Sequence, residues 1–173
     1  RRSERTRLGS VMNVREDAPP YLDKASPEAW KEAGAFAATV SQQALRLGLD
    51  PAEAELVKLR ASQLNGCLFC LDLHSRQARR AGITQQKLDI LPSWRDTPLF
   101  TDREKAVLTI AEAATRLPIS DETRTELAAA RAELGDNVFA AAEWVAAAIN
   151  IFNRISILSE HPIHPRDADG KLL

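Results

Sequence analysis

No segment of the chain alternates apolar and polar residues in the β-branched, period-2 manner of a half-buried strand, and helix signals dominate instead. Ser26-Pro27-Glu28 sets an N-cap before a first-turn proline and opens a helix to about Leu47, with Gly48 as its stop. Asp50-Pro51-Ala52-Glu53 repeats that start, with Glu at the capping-box position, and the helix it opens carries Glu55 and breaks at Asn65-Gly66. A third helix starts in the segment Cys67-Leu68-Phe69-Cys70 and ends near Ala81-Gly82. Thr84 caps a short fourth helix to about Leu91, and Pro92 to Phe100, containing Trp94, is predicted to be a loop. Thr101-Asp102-Arg103-Glu104 is a further capping box whose helix stops before Pro118. Ser120-Asp121-Glu122 starts the next helix, to Gly135, and Asp136 begins the last, to about Ser159.

The pattern predicts an all-α bundle of six to eight helices in one domain, residues 26–160, after an N-terminal extension (1–25) and before a Pro-bounded, extended tail (161–173). In the last helix Val138, Phe139, Val145, Ile149, Ile151, Phe152, Ile155, Ile157 and Leu158 cover nearly the whole circumference, which predicts burial on several sides. Glu143, Asn150 and Arg154 form a polar stripe about 40° wide at helical pitch. An internal Glu–Arg pair or a hydrogen-bonded subunit seam is the expected use, and lining of a substrate cavity the sharper one. The run is long enough to span a membrane, but its polar interruptions and Ala-rich first half favour a buried helix or a subunit contact.

Hydrophobic residues make up 45% and charged residues 27%, which suits a soluble globular protein, and a net charge of −1 implies neither a nucleic-acid partner nor a polybasic membrane patch. The start, RRSERTRLGS, is Arg-rich with no apolar stretch behind it and is not read as a signal peptide. Two cysteines without a framework of others argue against a stapled secreted domain, so a cytoplasmic setting is expected.

Those two cysteines carry the candidate chemistry. Cys67 and Cys70 sit three apart, His74 follows four residues later, and Glu55 lies twelve before Cys67. On a helix Cys67, Cys70, Leu71, His74, Ala78 and Ala81 share one side, with Asp72, Arg76 and Arg79 roughly opposite. Cys67 falls at the helix N-terminus, where free amides favour a thiolate, and an imidazole one turn on can take a thiol proton. Redox chemistry, a metal site and inert packing of two small buried residues are the readings that these positions leave open.

Glu55, Cys67-x-x-Cys70 and His74, at the start of a helix in an all-α chain, resemble the alkylhydroperoxidase D / carboxymuconolactone decarboxylase superfamily, over roughly residues 27–158. The resemblance implies that Cys70 attacks the terminal oxygen of a hydroperoxide and becomes a sulfenic acid, and that Cys67 resolves it as a disulfide. Glu55 and His74 would form the proton relay. An external dithiol, lipoyl-bearing or thioredoxin-like, would reduce the disulfide, and no cofactor would be required. It also implies a homo-oligomer (trimer, hexamer or dimer) with the site near or between subunits. Where the best-known peroxidase members carry a second His, directly before the second cysteine, this chain has Phe69.

Other uses of the fold are a redox-sensing or ligand-binding protein without turnover, and a zinc-stabilised helical protein using Cys67 and Cys70 with the distant His161 and His164. Those histidines are expected to be ordinary tail residues. Arg76, Arg79 and Arg80 are read as a solvated basic face able to dock an acidic reductant. Trp30, Trp94 and Trp144 are read as core or interface residues.

Overall fold

A computed structural model describes residues 17–167 and 169–173. The Arg-rich start, on which the signal-peptide reading rests, lies outside the described residues. Among the described residues seven α-helices follow in order: α1 (Leu22–Ala25), α2 (Pro27–Arg46), α3 (Pro51–Asn65), α4 (Leu68–Arg80), α5 (Gln85–Ile90), α6 (Asp102–Thr115) and α7 (Asp121–Leu158). Among the described residues there is no β-strand, only an isolated antiparallel bridge between Arg166 and Leu172 in the tail.

The predicted caps form. Asp50 accepts a hydrogen bond from the Ala52 amide while Glu53 accepts one from the Asp50 amide at 3.1 Å, and Glu53 also pairs with Arg103 of α6 at 2.8 Å. Thr101 and Glu104 close the second box, and Glu104 also holds Lys87 at 2.7 Å. Each of these carboxylates thus fixes a helix start and ties it to another element. Between α5 and α6 the chain departs from the predicted loop: Leu91–Asp96 is a short 3₁₀ helix. Its cause is tertiary. Leu91 and Trp94 are buried, and the Trp94 indole donates to Glu112 at 3.0 Å. Residues 121–158 are helical except at Gly135, whose backbone (φ 75°, ψ 160°) breaks the helix where two helices were expected to meet.

Two clusters make the core. Val40, Ala44, Val57, Val107, Ile110, Ala141 and Val145 join α2, α3, α6 and α7. Leu56, Leu59, Ala78, Leu91, Trp94 and Leu108 join α3, α4, the 3₁₀ helix and α6. α3 feeds both, since Leu56 and Val57 are both fully buried, and it packs on α4, α6, α7 and the 3₁₀ helix. Fully burying each such side chain is worth roughly 1.5–3 kcal/mol. α7 is covered on fewer sides than its sequence suggests. Val145 and Ile149 are buried, but Trp144, Ile151 and Leu158 stay exposed along one stripe. α7 is long and apolar enough to cross a membrane, yet it packs on α2, α3 and α6.

The polar stripe of α7 divides. Glu143 is exposed and makes no pair with Arg154 among the described contacts, whereas Arg154 donates to Asn150 at 2.9 Å. Asn150 belongs to an inner network: Asn65 donates to Asn150 and Asn153 at 2.9 and 2.8 Å, and Asn153 donates to Ser62 at 3.0 Å. This network pins the C-terminal end of α3 to α7, one residue before the turn that leads into α4.

Candidate active site

α3 ends at Gly66 in a left-handed conformation (φ 68°), which glycine adopts without steric cost, and Cys67 follows at once as the N-cap of α4. The Cys67 amide donates to the Ser62 carbonyl at 3.0 Å, and Cys67 Sγ accepts the Cys70 amide at 3.3 Å. Both sulfurs are buried and joined as a disulfide, with Cα atoms 5.3 Å apart. One turn along α4 lies His74, also buried.

α3 presents Glu55 to that imidazole. Glu55 Oε2 lies 2.8 Å from His74 Nδ1, and Glu55 Oε1 accepts Lys58 Nζ at 2.7 Å. Burial by itself pushes the Glu55 carboxyl up, but the hydrogen bonds and charges of His74 and Lys58 overcome it and hold the group below its ordinary value. Beside an ionised carboxylate Nδ1 carries the hydrogen, so in the neutral ring Nε2 keeps its lone pair, ready to accept a proton. Helical pitch alone puts Glu55 at the edge of an apolar strip; the fold buries it (7% exposed) and aims it at His74.

Cys70 and His74 open on a cavity of about 640 Å³. Its walls are mainly apolar, with Val40, Val145, Ile149, Phe152 and Trp30 from α2 and α7, and Phe69 from α4. Cys67 instead lines a smaller pocket of about 260 Å³. The α7 stripe of Glu143, Asn150 and Arg154 lines neither.

The tail contradicts its expected role. Glu160 turns the chain with a left-handed backbone (φ 49°), and His161 lines both the large cavity and the Cys67 pocket, while His164 lines the large one. His161 is gripped by Asp23 of α1 (3.2 Å) and Ser156 of α7 (3.4 Å), and packs on Tyr21 and Phe69 with ring centroids 5.0 and 5.8 Å apart. His161 and Asp23 were missed because no local periodicity relates residues 138 apart. The one signal for His161 was its His-x-x-His spacing, read as a tail feature.

The zinc arrangement does not assemble. The sulfurs are bonded to each other, and among the described residues no three His, Cys, Asp or Glu side chains converge to hold a metal. The basic face of α4 is also less free than expected. Asp72 and Arg76 are half-buried, paired at 2.9 Å, with Arg166 of the tail over Asp72 at 3.5 Å, whereas Arg79 and Arg80 are exposed.

The carboxymuconolactone decarboxylase family pattern matches residues 31–113, a span that holds Glu55, both cysteines and His74. The uncharacterised protein YdfG of Bacillus subtilis is 35% identical over 106 residues, which cover 60% of this chain and 70% of that one. The uncharacterised protein YnjA of Escherichia coli is 40% identical over 86 residues, covering 49% of this chain and 47% of that one. A crystal structure of an Agrobacterium tumefaciens protein of unknown function, provisionally assigned as the antioxidant defence protein AhpD, superposes with a TM-score of 0.69 at 33% identity, over 82% of this chain and 96% of the other. With its all-α fold, its Cys-x-x-Cys pair and these likenesses, the chain belongs to the carboxymuconolactone decarboxylase family, in its alkylhydroperoxidase D-like, thiol-bearing branch.

Proposed function

We propose that this protein is a dithiol peroxidase, a disulfide oxidoreductase that reduces organic hydroperoxides by cycling Cys67 and Cys70 between dithiol and disulfide. The observation that carries the reading is the carboxylate–imidazole pair Glu55–His74, whose imidazole stands one helical turn from Cys70 on the wall of a mainly apolar cavity. In the reduced protein His74 Nε2 takes the Cys70 thiol proton. The thiolate attacks the terminal oxygen of the hydroperoxide, the O–O bond breaks, and the alkoxide leaves as the alcohol with the proton from His74. Cys70 is then a sulfenic acid. Cys67 attacks that sulfur, the S–O bond breaks, and hydroxide leaves as water with the Cys67 proton. Two electrons pass from the sulfurs to the peroxide, and an external dithiol, lipoyl-bearing or thioredoxin-like, returns them with two protons. The cycle runs on the sulfurs alone and needs no bound cofactor.

The division of roles rests on placement. Cys70 faces the large cavity, and Cys67 sits at the amide end of α4, where a thiolate is favoured as leaving group when the disulfide is reduced. The apolar walls suit a bulky alkyl or aryl hydroperoxide better than hydrogen peroxide. A soluble, cytoplasmic homo-oligomer completes the reading, and the exposed apolar stripe of α7 supports the subunit contact.

The test is single-turnover thiol loss. The reduced protein receives one equivalent of cumene hydroperoxide, and free thiols and intact mass are followed beside Cys67→Ser and Cys70→Ser. Loss of two thiols, at least 100-fold faster than for free cysteine and faster than with hydrogen peroxide, is expected, with a trapped sulfenic acid in Cys67→Ser alone. Thiol loss no faster than for free cysteine overturns the assignment.

A further inference from the structure

Among the described residues two carboxylate–imidazole pairs border the pockets that the cysteines line, and the reaction above uses one. Glu55–His74 comes from α3 and α4 and stands beside Cys70. Asp23–His161 comes from α1 and the tail, and His161 borders the pocket that Cys67 lines as well as the cavity that Cys70 lines. The second pair lies outside the stretch matched by the family pattern.

Its construction is that of a held functional side chain. Both ring nitrogens are engaged, Nε2 by Asp23 and Nδ1 by Ser156, and aromatic rings of Tyr21 and Phe69 pack against the imidazole. The support is itself fastened. The Leu22 amide donates to Ser159 Oγ at 3.0 Å, and the His161 amide donates to the Ser156 carbonyl at 3.1 Å, so α1 and the tail are tied to the end of α7. Such an outlay of contacts around a histidine with no core to fill is what proton transfer at a fixed place requires.

We propose that His161, positioned by Asp23, is a second proton-handling imidazole of this dithiol, serving Cys67 as His74 serves Cys70. The inference rests on the thiol–disulfide reading above and divides its labour. When an external dithiol reduces the protein, a reductant thiolate attacks Cys70 Sγ through the large cavity, a mixed disulfide forms, and the Cys70–Cys67 bond breaks. The electron pair goes to Cys67, and the proton that this thiolate needs comes from His161 Nδ1 by way of the Ser156 hydroxyl, which borders the Cys67 pocket beside His161. In the reverse direction the Cys67 proton passes through the Ser156 hydroxyl to His161 Nδ1 as Cys67 closes on the Cys70 sulfenic acid, and returns by the same path to the departing hydroxide. The charged and titratable groups around His161 are Tyr21 before α1, Asp23 and Lys24 of α1, Lys58 of α3 and His74 of α4 across the cavity, and Glu160 and His164 on its own segment.

The test is stopped-flow reduction of the oxidised full-length protein by dithiothreitol between pH 5.5 and 8.5, which needs no peroxide. His161→Gln, which keeps hydrogen-bonding capacity without a titratable ring, is expected to be reduced at least tenfold more slowly at pH 6.5 and to lose one step of the pH profile. Added imidazole is expected to restore at least a third of the lost rate in His161→Ala. Asp23→Asn, which keeps the shape of the support without its charge, is expected to slow reduction at least threefold. Rates within twofold of wild type for His161→Gln and Asp23→Asn across the range overturn the inference, as does slowing of His161→Ala that imidazole leaves untouched. A wild-type protein that ignores hydroperoxides yet shows this His161 dependence would overturn the peroxidase reading and leave this inference standing.

Discussion

At the residue scale the candidate site divides by how far apart in sequence its parts lie. Cys67, Cys70 and His74 were legible because one helix holds them and its pitch fixes their neighbours. Glu55 was legible only through the family spacing, since its own helix places it among apolar neighbours, and its 2.8 Å contact with His74 depends on how α3 packs against α4. His161 and Asp23 were not legible, because what joins them is a backbone turn at Glu160 and the docking of two chain ends on α7. A prediction follows for the legible pair. Glu55 is held below its ordinary carboxyl value and stays an anion throughout the neutral range, so in the proposed cycle it would orient His74 and stabilise the imidazolium. Glu55→Gln keeps the shape but removes the charge. Thiol loss to cumene hydroperoxide at pH 7 should slow about 100-fold, the lower end of what a positioned acid–base group contributes. A rate within threefold of wild type would remove Glu55 from the relay.

At the element scale the helix boundaries were readable because capping is local chemistry: Asp50 with Glu53 and Thr101 with Glu104 act within four residues. The 3₁₀ helix at Leu91–Asp96 was not, since its support is a carboxylate from another element. Glu112 of α6 accepts from Arg60 of α3 at 2.7 Å, from the Trp94 indole at 3.0 Å and from Arg95 at 3.1 Å. Burial raises this carboxyl, but those hydrogen bonds and the Arg60 charge outweigh it and hold the group below its ordinary value. The sign of the linkage follows. A carboxyl whose folded value is depressed contributes stability that is fully present above its unfolded value and is lost as pH falls through the folded value. Glu112→Gln removes the charge and leaves buried Arg60 uncompensated, so urea unfolding at pH 7 should show a loss of about 3 kcal/mol. Between pH 5 and pH 3 the variant should lose less stability than wild type. Parallel pH curves for the two proteins would show that Glu112 is not a source of the acid sensitivity.

At the scale of the whole molecule, α7 joins core, site and surface. Val145 and Ile149 fill the core and wall the cavity, Asn150 and Asn153 fasten the end of α3, and Ser156 and Ser159 hold the tail and α1. Its sequence announced an apolar helix of nearly full circumference, yet one chain covers only part of it. Trp144, Ile151 and Leu158 keep 57%, 43% and 63% of their surface exposed, on a single stripe. Large apolar side chains aligned this way raise the free energy of an isolated chain in water by roughly 25 cal/mol for each Å² left uncovered, which favours a contact between copies. The same stripe belongs to the helix that walls the cavity, so a contact there would stiffen the wall facing Cys70 and the approach to His161. Light scattering at micromolar concentration should therefore give a mass that is a multiple of the single chain. Ile151→Glu, which puts a charge on the stripe away from the cavity lining, should shift that mass toward the monomer. A monomeric wild type would mean that the site is complete within one chain, and an unaltered oligomer in Ile151→Glu would mean that the copies meet on another face.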